Sequence, residues 1–265
     1  ALFERAGFEV LEYPYYDPAT RGLNFEAMLS GLRALPAQSI AVLHACCHNP
    51  TGADPTPAQW QQIAQVVQER SLVPFLDIAY QGFGDGLEAD GQAVRLFAEM
   101  GLKCFISTSF SKSFSLYGER IGALTVVTGS ADEAKRVLSQ VKRVIRTNYS
   151  NPPTFGAAIV AEVLNNEKLF AMWDSELTEM RDRIKLMRSA LVGNIKAHGA
   201  ATDFSFVLEQ KGMFSYTGLT SAQVDVLRDT HGIYAVSSGR ICVAALNSRN
   251  IDVVASAVAD VIKTA

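Results

Sequence analysis

One lysine, Lys112, stands in the stretch SFSKSFSLYGERIG (109–122) among serines and phenylalanines, with Arg120 eight residues further on. A surface lysine normally sits among other charges, and this one does not. Other polar groups stand at the ends of apolar runs. His48-Asn49-Pro50-Thr51-Gly52 follows SIAVLHACC (39–47). Asp77 and Tyr80 close LVPFLDIAY (72–80). Ser109, Ser111 and Lys112 close KCFISTSF (103–110). Each has an ordinary reading when taken alone: Asn-Pro-Thr-Gly forms turns, Asp77 could cap a loop, and Lys112 and Arg120 could be solvated charges. In an open α/β sheet, however, ligands bind beyond the carboxyl ends of the strands. If the three runs are neighbouring strands, these groups meet at one edge.

One chemistry uses them jointly. Pyridoxal 5′-phosphate needs an amine to condense with its aldehyde, a carboxylate at its pyridinium nitrogen, donors to its ring oxygen, and hydroxyls with a cation for its phosphate. Lys112 supplies the amine and Asp77 the carboxylate. Asn49 and Tyr80 supply the ring-oxygen donors. Ser109, Ser111 and Arg120 supply the phosphate clamp. A bound cofactor cation and Arg120 would lower the proton affinity of Lys112, leaving part of it neutral and nucleophilic.

The elements that must position these groups alternate between strand and helix. The runs at 39–47, 72–80 and 103–110 are continuous apolar segments, the pattern of strands buried on both faces, with Pro74 an irregularity in the second. IGALTVVTG (121–129) is a fourth strand. Thr56 and Gln59 have capping-box spacing ahead of a helix that starts at Pro57. A short helix covers QAVRLFAEM, and Ser130 with Glu133 opens another. This is an α/β sheet with helices on both faces. After Asn151 come PPTFGAAIVAEVLNN, a helix, and then one long amphipathic helix ended by Gly199. FSFVLEQKGMFSYTG reads as an antiparallel pair, and Thr220 with Gln223 opens a helix. YAVSSGRICVAAL supplies one or two strands, and NSRNIDVVASAVADVIKTA a last helix. The expected organisation is a partial large domain over 1–179 and a smaller α+β domain over 180–265.

Composition narrows the function classes. The chain has 265 residues, 48% hydrophobic and 19% charged, with a net charge of -3, which argues against a nucleic-acid polyanion as main partner. No apolar run approaches the ~20 residues that span a bilayer. The first residues, ALFERAGFEV, have no secretory pattern, lack a methionine and read as mid-domain sequence, so the chain is expected to be the later part of something longer. Three of the four cysteines, Cys46, Cys47, Cys104 and Cys242, lie in strand-like runs. Adjacent Cys46 and Cys47 would face opposite sides of a strand, a poor disulfide and a poor metal clip. Free buried thiols in a reducing, cytoplasmic setting are expected.

SFSKSFSLYGERIGAL, CCHNPTGADPT, DIAYQGFGDGLEAD, RTNYSNPP and SSGRICVAAL, in this order, resemble the class I aminotransferases. More narrowly they resemble the bacterial aspartate and aromatic-amino-acid enzymes of fold type I among the pyridoxal-phosphate proteins. The resemblance runs from the first residues to the last helix. It implies a mixed, mostly parallel sheet sandwiched by helices, plus a smaller α+β C-terminal domain. It implies that Lys112 bonds the cofactor and moves the reacting proton, that Asp77 partners the pyridinium nitrogen, and that Asn49 and Tyr80 donate to the ring oxygen. Ser109, Ser111 and Arg120 match phosphate ligands. Arg240 matches the arginine that forks onto the substrate α-carboxylate, and Phe214 an aromatic at the substrate entrance. Arg146 matches an arginine reaching into the neighbouring subunit toward a dicarboxylate side chain, and Ser150 a phosphate contact across that interface. A homodimer follows.

The substrates so implied are amino acids and 2-oxo acids. Arg146 favours aspartate, glutamate and 2-oxoglutarate, while KSFSLYGERIGAL and GMFSYTGL look more like the aromatic branch. Members of the family carry a further N-terminal portion, about a third of the chain, with a phosphate-binding turn, an aromatic that stacks on the cofactor and a tyrosine donated across the dimer. Three other readings stay open: a truncated, non-catalytic remnant, a β-lyase or decarboxylase of the same fold, and a nucleotide-binding α/β protein. Arg146 speaks against the second, and the lack of a glycine-rich fingerprint after the first strand against the third.

Overall fold

A computed structural model describes residues 1–263. The chain opens with a helical turn, α1 (Leu2–Arg5), a short hairpin of β1 (Tyr16–Asp17) and β2 (Gly22–Leu23), and α2 (Phe25–Ala34). The Asn24 side chain caps α2 by accepting the Ala27 N–H. From sequence no element is named here: two-residue strands are too short to show alternation, and α2 is missed although Asn24 stands at its cap and Met28, Leu29 and Leu32 recur at helical spacing. The chain continues with β3 (Ile40–His44), α3 (Pro57–Glu69), β4 (Val73–Ile78), a turn α4 (Leu87–Asp90), α5 (Gln92–Glu99), β5 (Cys104–Ser109) and β6 (Gly122–Val127). Thr56 and Gln59 form the expected capping box, with Pro57 as first helical residue.

These four strands form one sheet in the order β3-β4-β5-β6. The first three are parallel, because each crossover carries a helix; β6 returns antiparallel to β5 across residues 110–121, which hold no helix. Pairing with β5 starts only at Phe75, so Pro74 has a sheet neighbour on one side alone. The expectation of strands buried on both faces needs correction. Burial alternates: Ala41, Leu43, Pro74, Leu76, Ile78, Cys104 and Ile106 are buried, while the residues between them are only half-buried, and β6 is largely exposed. The buried face joins Met28, Leu29 and Leu32 of α2, Trp60, Ile63 and Val67 of α3, and Phe97 of α5 in one core. The other face is half-open.

The remainder is α6 (Ala131–Asn148), α7 (Phe155–Asn165), α8 (Glu167–Ala197), α9 (Phe206–Glu209), β7 (Phe214–Tyr216), α10 (Ser221–His231), β8 (Arg240–Cys242) and α11 (Ile251–Lys263). Ser130 caps α6, and the Thr220–Gln223 box opens α10. The long helix appears as α8, 31 residues packed along α7 and α11, with Gly199 at φ 79 just beyond it. The expected domain boundary at 179/180 falls inside α8.

The antiparallel pair expected within 204–218 does not form. Residues 206–209 make a helical turn, and β7 pairs instead with β8. FSFVLE carries the alternation of a strand, but Phe204 and Val207, three apart, are the buried pair, and this spacing suits a helical turn. The cysteine expectation also changes. Cys46 and Cys47 lie beyond β3 and Cys47 takes φ 51, so the two do not alternate as strand residues; both are buried. Their sulfurs and an Asp90 oxygen lie within 4.8 Å of one another. Cys104 is buried, but Cys242 is exposed. Among the described residues no helix is long and apolar enough to cross a membrane.

Candidate active site

Asp77 lies near the carboxyl end of β4, on the half-open face that it shares with Phe75. Strand register sets it between His44 of β3 and Ser107 of β5. The Ser107 hydroxyl donates to Asp77 Oδ1 at 3.0 Å. Burial pushes the His44 imidazole below its ordinary pKa, partly opposed by the Asp77 charge. Neither His44 nor Ser107 was legible from sequence, because register between parallel strands leaves no local mark.

Lys112 sits on a tight turn between β5 and β6. Phe110 N–H donates to Ile121 O at 3.1 Å and Ser115 N–H to Lys112 O at 3.2 Å. From α8, Trp173 Nε1–H donates to Ser113 O at 2.7 Å, and its ring stacks on Phe114 at 4.5 Å. The Lys112 amine lies 4.6 Å from the centre of the Tyr80 ring and 5.7 Å from that of Tyr117. Burial lowers its pKa; the Asp77 charge opposes this and Arg120 reinforces it. The expected Arg120 effect therefore has the right sign, but desolvation is the larger cause. Ser111 is buried, its N–H donating to Ser109 Oγ at 3.3 Å. Arg120 takes φ 56 and donates to Tyr117 O at 3.1 Å. These three residues cluster around the Lys112 turn.

Asn49 is held by the turn that precedes α3. The Asp54 carboxylate accepts the N–H groups of Cys47 at 2.6 Å and His48 at 2.7 Å, and the Asn49-Pro50 bond is cis. His48 stacks on Tyr15 at 3.9 Å, and burial pushes its pKa down to about 3. Asn49 Nδ2 donates to Tyr80 Oη at 3.3 Å, while Asn49 Oδ1 accepts from Arg240 Nη1 at 3.0 Å. The Arg240 guanidinium lies 4.7 Å from the centre of the Phe214 ring, and Phe214 meets Tyr80 edge-on at 6.1 Å. Asn49, Tyr80, Phe214 and Arg240 thus form one connected group, tied to Lys112 through the Tyr80 ring.

Arg146 and Ser150 are not part of this group. Arg146 is in the last turn of α6, both are exposed, and Arg146 Nη1 donates to Ser150 Oγ at 2.5 Å.

The chain matches the family described as "Aminotransferase class I and II" over residues 1–258. It belongs to that family. The class I and II aminotransferases most similar to it include aspartate aminotransferase of Pseudomonas aeruginosa, 62% identical over 99% of this chain and 66% of that protein. Aromatic-amino-acid aminotransferase of Escherichia coli is 54% identical over 98% of this chain and 66% of its own length. Among solved structures, aromatic-amino-acid aminotransferase of Burkholderia pseudomallei, covalently bound to pyridoxal phosphate, superposes with a TM-score of 0.97. It is 66% identical, covering 98% of this chain and 65% of that one. The chain thus spans about two thirds of the length of the curated aminotransferases it matches. The α/β fold with a mostly parallel sheet is that of these neighbours.

Proposed function

We propose that this chain holds the reacting centre of a pyridoxal-phosphate-dependent aminotransferase that moves an amino group between dicarboxylic or aromatic amino acids and 2-oxoglutarate. The observation that carries the reading is that the Lys112 amine, 4.6 Å from the centre of the Tyr80 ring, is near enough to Asp77 for that carboxylate's charge to act on it. The donor set fits the cofactor: amine, carboxylate, amide with phenol, and two serines with a guanidinium stand in one neighbourhood. When bound, pyridoxal phosphate supplies the electron sink for the reaction.

The chain's own residues do the rest. Burial lowers the pKa of Lys112, and its Nζ takes the proton from the substrate α-carbon and returns it on the other side of the transfer. Asp77, fixed by Ser107, pairs with the ring nitrogen. Asn49 and Tyr80 donate to the ring oxygen. Ser109, Ser111 and Arg120 take the phosphate. Arg240, over the Phe214 ring and anchored on Asn49, presents its fork to the substrate α-carboxylate. Arg146 and Ser150, exposed and apart from this group, serve the site of a second copy in a homodimer, where Arg146 meets a dicarboxylate side chain. Residues 1–179 act as the cofactor-binding part and 180–265 as a smaller domain. The setting is cytoplasmic, in keeping with a rice relative named a cytoplasmic aspartate aminotransferase.

Lys112→Ala in the full-length protein is the test. The parent should show the visible absorbance of covalently held cofactor; the variant should lose that band, while transamination falls by at least ~10³-fold. Near-normal turnover with an unchanged spectrum in Lys112→Ala would falsify the assignment.

A further inference from the structure

Arg188 is 3% exposed, and among the described residues it forms no ion pair. Its guanidinium donates to the carbonyl oxygens of Val207 at 3.3 Å, Gly212 at 2.7 Å and Phe214 at 2.8 Å, and to Ser215 Oγ. Burial pushes its pKa down to about 10, so it remains a cation at neutral pH. A buried charge with only neutral partners is costly unless its donors are well satisfied, so an arginine here needs a reason. All four acceptors belong to one short segment, 207–215, and that segment includes Phe214, the ring beneath Arg240.

The same segment presses on the turn that carries Asn49. Lys211 N–H donates to Gly52 O at 2.7 Å. Gly212, at φ 79, sits so close to Cys47 that an added Cβ would lie 2.5 Å from the Cys47 Cβ. Phe214 and Asn49 are in turn the two groups that orient Arg240. A side chain on α8 therefore fixes both supports of the Arg240 fork without touching Arg240 itself.

We propose that Arg188 is a positioning residue for substrate-carboxylate recognition: its four-bond clamp on residues 207–215 holds Phe214 and the Asn49 turn in the register that aims Arg240. This rests on the reading of Arg240 as the carboxylate anchor. Lysine at this position keeps the charge but offers no planar fork, so it cannot hold four acceptors at once.

The test compares full-length, cofactor-loaded parent and Arg188→Lys. Succinate, a dicarboxylate that lacks an amino group, serves as a binding probe read by the cofactor's visible spectrum, alongside amino-donor kinetics and thermal unfolding. The expected result is succinate binding and donor KM each weakened ~10-fold or more, with kcat within ~3-fold and cofactor absorbance and its pH titration unchanged. A purely structural role predicts lower unfolding temperature and cofactor occupancy, with normal KM and succinate affinity in the folded fraction; that result overturns the proposal. If Arg188→Lys does not fold, Ser215→Ala removes one of the four acceptors, and an unchanged KM and succinate affinity there overturns it equally. A parent that shows no visible cofactor band and no succinate response removes the aminotransferase reading itself, and this proposal with it.

Discussion

The amine of Lys112 lies 4.6 Å from the centre of the Tyr80 ring, whose hydroxyl accepts from Asn49 Nδ2 at 3.3 Å. One tyrosine thus serves two tasks: its face lies against the amine and its hydroxyl belongs to the polar group beyond. Tyr80→Phe separates them. The variant keeps the ring against Lys112, so covalent cofactor attachment should survive. It loses one hydrogen bond worth about 1 kcal/mol, so kcat/KM should fall ~5- to 10-fold. With one donor fewer at the ring oxygen, the pH titration of the visible band should move upward. A spectrophotometric titration checks this, and an unchanged midpoint would contradict the placement of Tyr80.

Arg240→Ala should leave the cofactor band intact. In the proposed reading its fork takes the substrate α-carboxylate, and hydrogen bonds to charged groups contribute about 1.5–3 kcal/mol. Donor KM should therefore rise ~10- to 100-fold, with a smaller change in kcat; steady-state kinetics with aspartate and with phenylalanine reads both.

Gly212→Ala combines two penalties: a left-handed backbone at φ 79 and a Cβ placed 2.5 Å from that of Cys47. Backbone strain costs ~1–3 kcal/mol and overpacking a similar amount. Urea unfolding should show a loss of ~2–6 kcal/mol.

Acid should weaken the fold through His48. Its folded pKa, about 3, lies below the ordinary 6.5, so the native state binds fewer protons than the unfolded chain between these values. The stability tied to neutral His48 is complete above pH 6.5 and is lost as pH falls toward about 3, with a slope of up to ~1.4 kcal/mol per pH unit. Asp54 works in the opposite sense: burial raises its pKa, so its contribution is complete below pH 3.8 and fades as pH rises. Comparing His48→Gln with the parent cancels the Asp54 part. The stability curve of His48→Gln, measured by urea unfolding from pH 7 to 4, should be flatter; an equal slope would contradict the buried neutral imidazole.

Much of the sheet and its edge was legible in the sequence, for reasons that differ by residue. Asp77, Lys112 and Asn49 stand at the ends of long apolar runs, and the capping pairs Thr56–Gln59 and Thr220–Gln223 mark helix starts through bonds that close within four residues. What stayed hidden depends on distant chain. Ser107 meets Asp77 only through register. Trp173 reaches Ser113 across sixty residues of sequence. Phe206 and Val207 read as strand, yet they turn into helix beneath the Arg188 clamp. Cys46 and Cys47 fall on opposite faces only if the apolar run is strand to its last residue, whereas the strand stops at His44.

Trp173 and Arg188 share one helix. The first grips the turn that bears the amine, and the second grips the segment beneath the carboxylate fork. Fifteen residues of α-helix advance ~22 Å and bring the two side chains within ~60° of each other around the axis. The stretch between them therefore acts as a ruler of fixed length and fixed twist. Adding or removing one residue there would shift one grip by ~1.5 Å and swing it by ~100° relative to the other. A change of side chain on the solvent side of α8 leaves this spacing intact, whereas a change in the number of residues between 173 and 188 would pull the Lys112 turn and the 207–215 segment out of alignment with each other.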